Sequence, residues 1–247
     1  MATAQRADKV WKSDALVRIF LQGVRGGIPF AAEQIDIMLR VIAAGGVPLR
    51  RFADLGCGGG TLTRALLARH RGARPTLVDF SEPMLAEARS ALAHCDPAPS
   101  FVLADLAASE WRHALATDAP FDAVVSGYAI HHLPDERKRT LYGEIFDLLA
   151  PGGMFVNVEH VASSTPWVGQ VSDELMIDSL HAFHQRQGSD KTRAQVAAEF
   201  VHRPDKAANI LVAVERQCEW LRAAGFADVD CYFKAFELAV FGGRRPA

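Results

Sequence analysis

The sequence predicts an α/β fold with a doubly wound, mostly parallel sheet, and three observations carry that expectation. Short apolar runs alternate with helical periodicities through the middle of the chain, the first run opens into a glycine-rich turn, and acids stand at the ends of the first three runs. Strand, tight loop and helix in that order form a nucleotide-binding unit.

That unit begins with Arg51-Phe-Ala-Asp-Leu-Gly-Cys-Gly-Gly-Gly-Thr61, where four glycines fill five positions after the acid Asp54, and Leu62 to Leu67 then favour a helix. Without a Cβ, Gly56 and Gly58 can take positive φ and let backbone touch a ligand. The helix behind them offers free N–H groups to a carboxylate or phosphate. A dinucleotide fingerprint would need glycine where Thr61 stands, so NAD is not indicated.

Two helices are expected before this loop. Asp14 to Gln22 carries Leu16, Val17, Ile19 and Phe20; Phe30 to Ala44 spaces Ile35, Met38, Leu39 and Ile42 helically, with Pro29 to start it and Gly45-Gly46 to stop it. The link Gly23 to Pro29, which includes Arg25, is flexible and basic and suits a lid.

After the loop, a second strand is expected over Thr76 to Phe80, with Ser81 capping a helix over Met84 to Ala93. Phe101 to Ala104 and Phe121 to Ser126 read as strands three and four, Pro134 to Ala150 as a helix, and Met154 to Val158 as strand five. From Ala162 the rhythm changes to two helices, Trp167 to Gln187 and Lys191 to Val201, which suit an insertion over the cleft. A helix over Ile210 to Ala224 and strands over Val229 to Phe233 and Phe236 to Phe241 close the chain, the strands as an antiparallel pair at the sheet edge. The expected organisation is an N-terminal helical lid (1–47), an α/β core (48–160), a helical insertion (161–208), and a C-terminal helix with closing strands of the same core (209–247).

Composition excludes several function classes. The 247 residues are 49% hydrophobic, with 27 basic against 29 acidic side chains, which gives no bulk electrostatic footprint for nucleic acid. No run of about eighteen apolar residues suits a membrane span, and Met1 to Lys9 holds no apolar signal core, so a cytoplasmic protein is expected. Cys57, Cys95, Cys218 and Cys231 match no zinc spacing and read as reduced thiols.

Asp79 ends the second strand at the distance where a Rossmann-like unit places the acid that accepts from ribose hydroxyls; a helix-capping acid is the alternative. Phe80 and Met84 offer apolar surface to an adenine ring or to the core, and Asp105 ends the third strand or caps a helix near Ser109. His131 and His132 follow strand four at the carboxyl edge, where His131 is the candidate general base; lining the cofactor pocket or capping the helix at Asp135 is the alternative. His181 and His184 lie three apart on a helix without a third ligand nearby, so no metal is expected and His184 reads as solvated or substrate-facing. Trp167, Phe183, Tyr232 and Phe236 wall an apolar acceptor pocket or pack in the core.

Asp54-Leu55-Gly56-Cys57-Gly58 resembles motif I of the class I S-adenosylmethionine (SAM) methyltransferases, where the strand ends in an acid and the loop holds the methionine part of the cofactor. With Asp79, Asp105 and the strand Phe121 to Ser126 following in order, the resemblance covers about residues 48–160. It implies a Rossmann-like class I methyltransferase fold with an antiparallel C-terminal strand, and SAM as cofactor. The implied cofactor residues are Asp54, Gly56, Cys57, Gly58, Asp79, Phe80, Met84 and Ser126, with Asp105 receiving the adenine amino group and Leu106 lending its N–H. The implied activity is methyl transfer, and a homodimer is compatible with the resemblance; the insertion suggests a small-molecule acceptor in a lidded pocket, and the composition leaves no nucleic acid or membrane partner expected.

The N-terminal helices, the insertion and the ending from Gly225-Phe226 to Val240 resemble, more loosely, the carboxy-S-adenosylmethionine synthase branch, which converts SAM with prephenate. In that family an arginine from the insertion holds the extra carboxylate; a gapless match from Ala224-Gly225-Phe226 puts His202 there, with Arg203 adjacent. Arg203 therefore joins Arg25, His184 and Tyr232 as a candidate substrate-binding residue. A non-catalytic SAM-binding protein is a third reading.

Overall fold

The computed structural model describes residues 25–203 and 206–247, so the expected helix Asp14 to Gln22 lies outside the described residues. Seven strands form one sheet: β1 Arg51–Leu55, β2 Arg74–Asp79, β3 Ser100–Leu103, β4 Phe121–Gly127, β5 Leu149–His160, β6 Ala227–Ala235 and β7 Leu238–Arg244. Their order is β3-β2-β1-β4-β5-β7-β6. Strands β1 to β5 pair in parallel, while β7 runs antiparallel to both β5 and β6.

Side-chain alternation sorts the strands onto two apolar layers. Phe52, Ala123 and Val125 face one layer, built with α1 (Ala31–Ala44), α2 (Thr61–Arg69) and α3 (Glu82–Ala91). Ala53, Leu55, Val124 and Phe155 face the other, built with α4 (Asp135–Leu148) and α7 (Val214–Ala223). Helices α5 (Pro166–Arg186) and α6 (Arg193–Val201) share a small cluster of their own, Ile177 and Leu180 against Val196 and Phe200. This is the Rossmann-like arrangement expected, and the strand order reverses between β1 and β4, where such sheets bind ligands beyond the strands' carboxyl ends.

The closing pair is antiparallel and lies at the sheet edge as expected, with β7 beside β5 and β6 outermost. Three expected boundaries are corrected. Helix α1 starts at Ala31, since Phe30 takes the left-handed conformation with φ 56°. Strand β5 begins at Leu149, five residues before Met154, and cuts short the helix expected to reach Ala150. The last helix starts at Val214 and not Ile210, because the preceding backbone bonds elsewhere: Ile210 N–H donates to the His131 carbonyl at 2.9 Å, and the Val212 carbonyl accepts from Ala162 N–H at 3.0 Å. Tertiary partners here outweigh the helical spacing of the apolar side chains.

Candidate functional site

The glycine turn leaves β1 at the switch point, and β2 holds it. The N–H groups of Gly56 and Cys57 donate to the Val78 carbonyl at 2.8 and 3.0 Å, and Gly58 N–H donates to Asp79 Oδ2 at 2.9 Å. Gly56 and Gly58 sit at φ 65° and 51°, where a side chain is strained. A Cβ on Gly56 would stand 2.2 Å from Ala129 Cβ, so the turn closes against the segment after β4 only without one. Above Gly58 a Cβ would meet nothing nearer than Met84 Sδ at 3.8 Å, which leaves its backbone open on that side. Asp54, 1% exposed, accepts from the N–H and hydroxyl of Thr63 at 3.2 and 2.7 Å and so fastens β1 to α2. Cys57 is buried, with Sγ 3.5 Å from the Gly58 carbonyl.

Asp79 is 6% exposed. Its Oδ1 accepts from Ser81 N–H at 2.9 Å, and the Ser81 hydroxyl caps α3 by accepting from Met84 N–H at 3.5 Å. Burial pushes the Asp79 carboxyl above its ordinary value, against the pull of the Gly58, Ser81 and Phe80 N–H groups. Three N–H donors leave the carboxylate a lone pair to spare. Phe80, half-buried, follows directly, and Met84 is buried beside the turn. Ser126 is placed otherwise: it is fully buried, and its hydroxyl donates to the Leu55 carbonyl at 2.8 Å, tying β4 to β1.

Asp105 follows β3, its Oδ1 accepting from Ala107 N–H at 2.9 Å. A set of residues invisible in the motif pattern fixes this loop. Arg137 Nε donates to the Leu106 carbonyl at 2.6 Å, its terminal nitrogens hold Glu144 at 2.5 and 2.9 Å, and Glu144 also accepts from the Trp111 indole at 2.6 Å.

His131, 7% exposed, sits in a short 3-10 turn, Ile130–His132, just past β4. Its Nδ1 lies 2.5 Å from Glu159 Oε1, and its N–H donates to Oε2 at 3.1 Å. Glu159 is fully buried on β5 and accepts as well from His160 N–H at 2.9 Å and Asn157 Nδ2 at 3.4 Å. Burial alone pushes the Glu159 carboxyl up, but the His131 ring beside it, its hydrogen bond and the His160 groups outweigh that and hold it below the ordinary value. With Nδ1 turned to the carboxylate, Nε2 is the ring nitrogen left for another partner. Nε2 makes no hydrogen bond among the described residues.

The neighbours are equally tied. His132 Nδ1 lies 3.1 Å from the Ala208 carbonyl, and His160 Nε2 lies 2.9 Å from Glu237, which also accepts from Ser163 at 2.6 Å. The Lys138 ammonium, 1% exposed, reaches Asp135 at 3.0 Å and the Ile210 carbonyl. A strap of residues 208–212 thus crosses both histidines.

The remaining candidates lie on other elements. Arg25 opens the 3-10 turn Arg25–Gly27. His184 lies late on α5 with its ring 6.0 Å from Phe183, and His181 Nε2 is 3.3 Å from the Gln185 amide. Arg203 stacks over Phe200 at 4.5 Å. Tyr232 donates to the Asp228 carbonyl at 3.3 Å near the start of β6, and burial pushes its hydroxyl up to about 12. Among the described residues no group of three or more His, Cys, Asp or Glu is placed to hold a metal ion, and no helix is long and apolar enough to cross a membrane.

A family profile described as "Methyltransferase domain" matches residues 52–153. A trans-aconitate 2-methyltransferase of Methylobacterium radiotolerans is 31% identical over 202 residues, 72% of this chain and 70% of that protein. A carboxy-S-adenosyl-L-methionine synthase of Aeromonas hydrophila is 29% identical over 229 residues, 90% of this chain and 85% of that protein. Among solved structures, human N-acetylserotonin methyltransferase in complex with SAM superposes with a TM-score of 0.63 at 15% identity, covering 100% of this chain and 61% of that one. The chain spans about three fifths of the length of the first solved structures that it matches.

Proposed function

The chain belongs to the class I SAM-dependent methyltransferases, and we propose that it methylates a small-molecule acceptor, with His131 taking the acceptor's proton. The observation that carries this reading is the 2.5 Å contact between His131 and the buried Glu159, just beyond the switch point of the sheet.

The residues present fit the cofactor. The bare turn at Gly56 and Gly58 gives backbone access, Asp79 keeps a lone pair for a ribose hydroxyl, and Phe80 and Met84 offer the adenine an apolar wall. Asp105 and the backbone of Leu106 complete the adenine contacts in this reading, with Asp54, Cys57 and Ser126 shaping the turn from beneath. SAM supplies a methyl group on a sulfonium centre, activated for displacement by a nucleophile. His131 Nε2 accepts the proton as an acceptor hydroxyl or ammonium becomes the nucleophile, and Glu159 holds the ring in that tautomer and balances the imidazolium.

In this reading the described residues within 25–47 and 161–208 act as the cover of the core made by 48–160 and 209–247. Two facts support a lid: Gly26 and Gly27 press on α5, where added Cβ atoms would stand 2.5 Å from Phe183 and 2.7 Å from Leu180, and the α5–α6 pair carries its own apolar cluster. Arg25, His184, Arg203 and Tyr232 remain candidates for the acceptor side of this cover.

The experiment is to incubate the purified chain with SAM and a panel of hydroxy and carboxylic acids and to measure S-adenosylhomocysteine (SAH) release. Acceptor-dependent release supports the reading, and none across the panel rejects it. A second reading, conversion of SAM to its carboxylated form, is favoured by the match to carboxy-SAM synthases over 90% of this chain. Mass spectrometry of the ligand that co-purifies, with prephenate supplied, distinguishes the two.

A further inference from the structure

The opposite end of the sheet carries a second feature. A depression of about 610 Å³ opens below the amino ends of β1 and β2, with Ile42, Val47 and Leu49 among its apolar lining and Arg50, His70 and Arg71 among its polar lining. Arg51 and Arg74, register partners at the starts of β1 and β2, flank it and are exposed.

Five cationic or potentially cationic side chains therefore gather where few acids answer them. Arg69 is paired with Asp36 at 2.8 Å and Arg40 with the same acid at 2.5 Å. The Asp122 carboxylate accepts from the backbone N–H groups of Arg50 and Arg51 at 2.7 and 2.9 Å, so it is engaged by main chain. Arg51 donates to the Asp118 carbonyl at 3.5 Å, while the Asp118 carboxylate accepts from Thr76. Arg50, Arg71 and Arg74 form no ion pair among the described residues, and His70 Nε2 is buried without a hydrogen-bond partner among them.

Like charges held together on adjacent strand ends repel and stabilise nothing until an anion arrives. All the fixed charges here are arginines, whose planar forks match carboxylates two bonds at a time. The floor between them is apolar, which a phosphodiester backbone cannot use.

We propose that this depression is a docking site for an acidic protein segment with an apolar anchor, whose carboxylates meet Arg50, Arg71 and Arg74 while a leucine-like side chain fills the floor. It lies at the far end of β1 from the glycine turn, roughly 15 Å away at about 3.3 Å per residue. The site shares no side chain with the cofactor residues and does not depend on which acceptor is methylated.

The test uses fluorescence anisotropy of the whole chain with a labelled Glu-rich peptide carrying central leucines. An all-Glu peptide of equal length, a short RNA and citrate serve as comparisons. The leucine-bearing peptide should bind most tightly, and the R50E/R71E double variant should weaken it at least about tenfold while SAH affinity stays unchanged. Leu49→Ser should weaken that peptide and leave the all-Glu peptide unaffected. Equal binding by R50E/R71E, or no binding at all, overturns the proposal. Tighter binding of RNA would make the face a nucleic-acid surface, and tighter binding of citrate a small-anion pocket; either result overturns it too.

Discussion

Gly58 N–H donates to Asp79 Oδ2 at 2.9 Å, so the bare turn after β1 and the acid ending β2 are a single unit. Asp79→Ala removes the acceptor proposed for ribose together with the bond that holds the turn. Calorimetry should record a loss of SAH affinity of at least about tenfold, since hydrogen bonds to a charged group contribute about 1.5–3 kcal/mol each.

The same acid sets a pH dependence. Its pKa is raised by burial, so it takes a proton at a pH above its ordinary 3.8. SAH affinity should fall as pH drops through that raised value, and Asp79→Asn should flatten the curve. Unfolding at this residue does not mimic the effect: with a raised folded pKa, the ionised form costs stability at neutral pH, and that cost fades on acidification.

His131→Gln should cut turnover by about 10²–10⁴ while SAH affinity is retained, the range for loss of a general base. Glu159→Gln should lower turnover and stability together. Glu159 has a depressed pKa, so its contribution is present above the ordinary 4.5 and is lost as pH falls through the lower folded value. Urea melts of the wild type and Glu159→Gln should therefore converge only in strong acid.

Gly56→Ala and Gly46→Ala make a matched pair. Both positions have positive φ, 65° and 76°, but only Gly56 faces a neighbour, 2.2 Å from where its Cβ would be. Gly46→Ala should cost about 1–2 kcal/mol, the left-handed penalty alone. Gly56→Ala should add about 1–3 kcal/mol of overpacking and abolish SAH binding, read by denaturation and calorimetry.

Glu144→Ala should destabilise the chain by about 3–5 kcal/mol, because the Arg137 side chain, 13% exposed, would lose its partner. SAH affinity should fall with it, since Arg137 Nε holds the Leu106 carbonyl.

The sheet and the glycine turn were legible because their signals are local: alternation, glycines, and acids at strand ends. Glu159 was not, although it fixes His131, because the two are 28 positions apart and the expected strand ended at Val158. Arg137, Glu144 and Trp111 were missed for a similar reason, since nothing in a helix periodicity marks which polar side chains turn inward. The start of the last helix was misplaced at Ile210, where an apolar run meets backbone bonded to distant partners. The arginines below the sheet were hidden by a near-neutral total; only the pairing of Arg51 with Arg74 across two strands gathers them.

The strap across His131, His132 and Lys138 also bears on how the acceptor range could change. It follows the α5–α6 pair and leads into α7, and its Ile210 N–H donates to the His131 carbonyl while the Ile210 carbonyl accepts from Lys138 on α4. Lengthening or exchanging these helices by grafting would tug directly on the turn that holds His131 and His132. Swapped covers should work only when the junction keeps its register over these few residues, so new acceptors are more readily gained by substitutions within the cover than by replacing it whole.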